Sequence, residues 1–337
     1  MAAILAGSWR KIPPKMEIPA NRLDAVCPSL LQSGAGALAW WKLRHSDLPP
    51  SSSSLEALRV SYLSYAVHAV QHEQEVAAVS HLLCRAGIEA ILLKGWSVGR
   101  LYAEPGLRPP GDIDLCVAPE QIAAAEDLLD REGYSERNID LDHEEISRFS
   151  HSTFAELLSR SCRIELNGSE VRVLGAEDHL RVLCLHLLKH GAWRPLWLCD
   201  VAAALESRPP GFDWKLCLGD NQRHARWILC AVELARQILG ASADDVPRHE
   251  PLPYWLLPAV LRQWEAPPPA SVLLGLPLTH LFQHPREMIG ELRRRWRNSI
   301  LVTVKTDTEF NNYPKFPLQL VDGLSRTFRF LARRWAG

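Results

Sequence analysis

No CxxC pair and no tightly spaced cysteine framework occurs in the 337 residues, although there are eight cysteines (27, 84, 116, 162, 184, 199, 217 and 230). That spacing gives no disulfide scaffold and no zinc ribbon. Cys84, Cys116 and Cys230 sit inside apolar runs, where a free cysteine behaves as a small hydrophobe. The expectation is a cytoplasmic protein with reduced thiols. No stretch of ~18 apolar residues exists, so no transmembrane helix is expected. The apolar start of "MAAILAGSWRKIPPKMEIP" is followed by its charges instead of preceded by them, the wrong order for a secretory signal. Internal repeats and long low-complexity segments are also missing.

Net charge is close to absent. At −1 the chain as a whole lacks the positive excess of a nucleic-acid-binding protein. The charges are unevenly spread, however: residues 285–337 hold eleven Lys/Arg and five Asp/Glu, a local +6, so the remainder carries −7. The densest part, "ELRRRWRNS", reads either as a solvated helix face or as a site for phosphate or RNA. With 47% hydrophobic and 23% charged residues, the composition is that of a soluble globular protein without large-scale disorder. The length allows one large domain or two to three smaller ones.

What is present follows an order of helices, a few strands, then helices again. Residues 1–50 read as an irregular start and a short helix around "SLLQSGAGALAWWKLRHS". Ser54 is placed to cap a long helix that Gly87 ends. "IEAILLKG" and "DIDLCVA" read as buried strands around a short helix, "WSVGRLYA", and a proline-rich loop, "EPGLRPPG". "PEQIAAAEDLLDREG" is a helix with Pro119 in its first turn and Gly133 at its end. "YSERNIDLDH" is a third strand candidate, followed by a helix around 144–161. "CRIELNGSEVRVL" is a hairpin turning at Asn167-Gly168. From Ala176 onward the pattern is helical, broken by prolines at 208–210, 251–253 and 267–269. The division expected is an N-terminal helical segment (1–86), a mixed α/β core (87–175) and a helical C-terminal region (176–337).

The chemistry concentrates in "GDIDLCV". Side chains alternate faces along a strand. Asp112, Asp114 and Cys116 therefore share one side and Ile113, Leu115 and Val117 the other. Two like charges pointing together fit either an exposed edge strand or a shared divalent cation, since Mg²⁺ binds through one or two carboxylates plus substrate phosphates. The neighbours favour the cation. Lys94-Gly95 ends the preceding strand where backbone N–H groups can approach an anion. Lys94 or Ser97 could contact a phosphate, and Arg108 stands on a loop four residues before Asp112. Carboxylates for metal beside cations for phosphate are what phosphoryl or nucleotidyl transfer requires.

Residues 92–134, from "LLKGWSVGRLYAEPGLRPPGDIDLCVA" through "LLDREGY", resemble the uncharacterised nucleotidyltransferase family of the DNA polymerase beta superfamily. The shared features are Leu-Lys-Gly, Leu-Tyr, Arg-Pro before Gly-Asp-Ile-Asp, and a helix ending in Gly-Tyr. The likeness continues through "VRVLGAEDHLRVLCLHLLKHGAWRPLWLCDVAAAL" and covers roughly residues 80–205. It implies an α/β (α+β) fold with a small mixed nucleotidyltransferase-type sheet. It implies transfer of a nucleoside monophosphate from a nucleoside triphosphate to an acceptor, with two Mg²⁺ ions. Asp112 and Asp114 would be the metal-binding carboxylates. Asp140 would be the third acid, as ligand or base, with Asp142 and Glu165 as competitors. Lys94, Gly95, Ser97, Arg108 and Gly111 would hold the triphosphate; Trp96 follows the phosphate-binding glycine. The acceptor, a small molecule, peptide or nucleic acid, is not specified by these residues. Nor is the oligomeric state. A degenerate member that binds nucleotide or a partner without turnover is the alternative, as is a phosphoryltransferase.

Two further groups stand out. His186 and His190 are four apart on an expected helix and would share a face. They read as structural, as neighbours of the nucleotide, or as metal ligands, although Leu187 stands where a zincin has its glutamate. Asp200 reads as an N-cap. The twelve tryptophans show no regular alternation with basic residues, so most are expected in the core and a few are available to stack on a base.

Overall fold

The computed structural model describes residues 1–49, 52–134, 137–141, 152–265 and 297–335. The chain forms two compact units, residues 1–186 with 195–249, and residues 187–194 with 250–337.

The first unit opens with α1 (Ala2–Leu5), α2 (Ala20–Gln32) and α3 (Gly36–Leu43), where the sequence suggested an irregular start and a single short helix. Ile4, Leu5 and Trp9 are buried. Glu206 holds this start in place: it accepts from Trp9 Nε1 (2.9 Å), from Arg10 Nε (3.0 Å) and from the Ser242 backbone N–H (2.8 Å). These partners lie 197, 196 and 36 positions apart in sequence, which hides the tie from any local reading.

α4 (Ser53–Arg85) is the long helix. Its N-cap is Ser52, which accepts from Leu55 N (3.3 Å), and not Ser54, which donates to Asp24 instead. Gly87 ends the helix as expected, with φ +73°. The helix buries Leu58 in its first half, and Val76, Val79 and Leu83 lay an apolar stripe on the sheet.

The sheet contains β1 (Ala90–Leu92), β2 (Ile113–Val117), β3 (Ile139–Leu141), β4 (Cys162–Leu166) and β5 (Ser169–Val173) in the order β3-β2-β1-β5-β4. It is mixed: β1/β2 and β4/β5 are antiparallel, and β1/β5 and β2/β3 are parallel. The hairpin turns at Asn167 (φ +51°) and Gly168 (φ +78°), both left-handed as a two-residue primed turn requires. Short helices intervene: α5 (Trp96–Gly99) after β1, a 3₁₀ turn Pro119–Gln121 leading into α6 (Ile122–Arg131) after β2, and α7 (Phe154–Arg160) before β4.

Register assigns the two sheet faces. Leu92, Ile113, Leu115, Val117, Val171 and Val173 fall on one face and form the main core with α4 and α6. Ile91, Leu93, Cys116 and Leu174 fall on the other and pack with α7. α8 (Ala176–Lys189) follows the sheet, and α9 (Pro195–Glu206), α10 (Trp214–Leu218) and α11 (Gln222–Leu239) complete the helical part of this unit.

The second unit comprises the end of α8 and α12 (Leu256–Glu265), α13 (Ser299–Lys305) and α14 (Phe316–Trp335). Trp264 Nε1 donates to Ala192 O (3.0 Å), and Asn298 Nδ2 donates to Gly191 O (2.8 Å). Asp322, 6% exposed, gathers Arg297 (3.2 Å), Lys305 (3.4 Å) and Arg326 (3.0 Å). Part of the C-terminal basic excess therefore closes an internal ion-pair hub. The "ELRRRWR" stretch up to residue 296 lies outside the described residues, as do Asp142 and the first half of the helix expected at 144–161. Among the described residues no helix is long and apolar enough to cross a membrane.

Candidate active site

β2 is flanked by β1 and β3, so it is an interior strand and the edge-strand alternative falls. All five of its residues are buried, and Asp114 is 5% exposed among them. Asp140 on β3 is the register partner of Asp114, and paired residues share a face. Asp112, two residues before Asp114 and just ahead of the strand, is exposed, as is Asp140. The three carboxylates thus belong to the same end of two adjacent parallel strands. Glu165 lies on β4, at the far edge of the sheet from β3, opposite Glu170.

A carboxylate in an apolar strand is expensive unless compensated. Burial pushes the Asp114 carboxyl above its ordinary range; the charge and hydrogen bond of Lys94 and the charge of His186 work against that, and Asp140 adds to it. Lys94 Nζ makes a close ion pair with Asp114 Oδ1. Lys94 leaves β1 in the direction of Asp114 because the two strands are antiparallel, with Leu93 N donating to Asp114 O (3.0 Å).

Gly95 turns the chain beside them with φ +66° and ψ −114°, a region essentially closed to side-chain-bearing residues. A Cβ there would lie 2.9 Å from the Asp112 carbonyl oxygen. This close approach of the Lys-Gly corner to the Asp-x-Asp strand is the reason for the glycine. Gly111, on the other side of Asp112, is exposed and has no such neighbour.

The remaining phosphate candidates have partners of their own. The Ser97 side chain is fully buried and its Oγ lies 3.3 Å from Lys94 O and 3.2 Å from His179 Nε2. Arg108 forms a bidentate pair with Asp200, Nε to Oδ1 at 2.9 Å and Nη2 to Oδ2 at 3.1 Å, and the Tyr102 hydroxyl donates to the same Oδ1 at 2.7 Å. Burial works against the Arg108 charge, but Asp200 outweighs it and the guanidinium stays protonated. The N-cap reading of Asp200 is therefore corrected. Pro195 starts α9 five residues earlier, a position proline favours in a first turn, which leaves Asp200 in mid-helix and 1% exposed. This pair anchors the 101–110 loop to α9 and so positions Asp112.

The histidines separate. α8 ends at Lys189, and the left-handed Gly191 (φ +72°) and Ala192 (φ +56°) turn the chain, so His190 is past the helix and does not extend the face of His186. His186 packs edge-on against Trp197 (4.8 Å) and its charge acts on Asp114. Sequence reasoning overlooked His179, which sits under Ser97, and His72 on α4. No local spacing marks either: His179 meets Ser97 from another element, and His72 lies inside a long helix.

The donor set suits a hard cation: three carboxylates at neighbouring register positions, with a lysine ammonium already seated on the most buried one. Among the described residues, no three His, Cys, Asp or Glu side chains are gathered closely enough to hold a metal ion. Cation binding at this position therefore requires Lys94 to release Asp114 and the three carboxylates to draw together.

The sheet is mixed and five-stranded, with an Asp-x-Asp on an interior strand and a Lys-Gly corner against it. The chain belongs to the uncharacterised nucleotidyltransferase family, whose profile matches residues 32–240. Among solved structures, an antigenic nucleotidyltransferase-like protein from Paracoccidioides brasiliensis is similar at 16% identity and a TM-score of 0.38, over 50% of this chain and 92% of that one. No curated protein matches the chain.

Proposed function

We propose that the chain is a magnesium-dependent nucleotidyltransferase that moves a nucleoside monophosphate from a nucleoside triphosphate to an acceptor and releases pyrophosphate. The observation that carries this reading is the register of Asp114 with Asp140 on parallel neighbours, with Asp112 just ahead of the same strand. Asp112, Asp114 and Asp140 would hold two Mg²⁺ ions, which supply charge neutralisation at the phosphates. Lys94, freed from Asp114, and the Gly95 corner face the triphosphate, with Gly111 leaving room beside Asp112. Arg108 and Ser97 act on the same ligand by fixing the loop and the corner that meet it. Asp140, exposed at the end of the carboxylate row, takes the proton of the acceptor hydroxyl as its oxygen bonds to the α-phosphorus. The bond from the α-phosphorus to the bridging oxygen breaks, and pyrophosphate leaves with the electron pair.

A second reading, a nucleotide-binding module without turnover, draws on one observation: the Lys94–Asp114 pair occupies the carboxylate that catalysis needs. Incubation with Mg²⁺ and α- or γ-labelled triphosphates separates the two. Transfer of α-label to an acceptor supports nucleotidyl transfer. γ-label transfer instead indicates phosphoryl transfer, and binding without either supports the module.

A further inference from the structure

A cavity of about 260 Å³ opens beside the Gly95 corner, between α4, α5 and the 101–110 loop. Its wall includes Ala69, His72, Gly95, Trp96, Tyr102 and Arg108, with prolines of the loop closing one side. Two features set it apart. His72 is 8% exposed, yet its Nε2 has no hydrogen-bond partner. Trp96 is held in position by donating from Nε1 to Glu73 Oε1 (3.1 Å), which fixes its ring at the cavity wall.

Shape and connectivity indicate the occupant. Rings of Trp96, Tyr102 and His72 together with prolines make a seat for a flat ring. Burial, and the nearby Arg108 charge, hold the His72 imidazole below its ordinary value despite Glu75, Glu73 and Asp112, so it meets the ligand as a neutral ring. The cavity shares Gly95 with the proposed phosphate corner, and its Arg108–Pro110 wall runs directly into Gly111-Asp112. A ligand reaching from one to the other joins a flat heteroaromatic ring to phosphates through a short spacer. A nucleoside triphosphate has that form.

We infer that the cavity lined by His72 and Trp96 is the seat of the donor nucleotide's base. This rests on the nucleotidyltransferase reading of the neighbouring carboxylates, and the test separates the two. Calorimetric titration of the full chain with Mg²⁺ compares inorganic tripolyphosphate with ATP, GTP, CTP and UTP. A stacked base should make at least one triphosphate bind roughly 5- to 150-fold tighter than tripolyphosphate. Ala69→Trp, which fills the cavity, should abolish that gain and leave tripolyphosphate affinity unchanged. The near-isosteric His72→Phe should keep tripolyphosphate binding and shrink the differences among the four bases. Retained tripolyphosphate affinity certifies that each variant is folded, and His72→Phe stands alone should Ala69→Trp not fold. Equal binding of tripolyphosphate and all four nucleotides by the wild type overturns the inference and leaves the donor site standing. A base-dependent gain that survives both substitutions does the same. Binding of neither tripolyphosphate nor any nucleotide overturns both.

Discussion

The Arg108–Asp200 pair yields the most quantitative expectation. Asp200 is 1% exposed and receives three hydrogen bonds, two from Arg108 and one from Tyr102. Asp200→Leu removes the acceptor and leaves a buried guanidinium without a counter-charge. Breaking a buried pair from one side costs about 3–5 kcal/mol. For a unit the size of the one that holds the pair, residues 1–186 with 195–249, that is a fall in melting temperature of about 6–20 °C. The double variant Arg108→Met/Asp200→Leu removes both charges and fills the space with apolar atoms, which is close to neutral for many buried pairs. It leaves only the Tyr102 hydroxyl unsatisfied, at about 1–3 kcal/mol. The double variant should therefore be more stable than Asp200→Leu alone, an ordering that thermal and urea unfolding followed by circular dichroism reads directly. A single variant losing less than about 1 kcal/mol, or a double losing the sum of its two singles, refutes the buried-pair account.

Gly95→Ala should lose about 1–3 kcal/mol of stability from its backbone conformation alone, and more from the contact with the Asp112 carbonyl; thermal unfolding together with Mg²⁺-nucleotide affinity checks both. His179 is pushed down to about 3, mainly by burial and then by the Arg100 charge, so the unfolded chain binds the extra proton throughout the window from about 6.5 to 3. Stability should accordingly drop as the pH is lowered across that window, by about 1 kcal/mol more between pH 6 and 5 than in His179→Gln. Identical slopes for the two proteins in urea unfolding would sink this. Glu206→Ala should free the N-terminal segment at a cost of about 1–3 kcal/mol, seen as faster proteolysis within the first ten or so residues; unchanged protection would contradict the anchoring role of Glu206.

Much of the core was legible because its signals are local. Alternation in "DIDLCV", the Asn167-Gly168 turn and the Gly87 stop each depend on a few neighbouring residues, and the strands and turns fall where those patterns put them. The phosphate candidates were harder to read. Arg108 and Ser97 have the right chemistry near the right motif, but their partners, Asp200 and His179, come from helices 92 and 82 positions away. Asp200 was misread because an aspartate after apolar residues looks like a cap until Pro195 is recognised as the helix start. The anchoring of the first ten residues by Glu206 was invisible for the same reason. Capping, turn and alternation rules describe neighbours along the chain, whereas buried ion pairs are made across it.

The central claim is that Asp112 and Asp114 present the metal–triphosphate site. Its most direct test is calorimetric binding of a nucleoside triphosphate to the full chain, with and without Mg²⁺, in the wild type and in Asp112→Asn/Asp114→Asn. The account predicts binding that depends on Mg²⁺ in the wild type and is lost, or no longer depends on the metal, in the double variant. Equal Mg²⁺-dependent affinity in both proteins would contradict it.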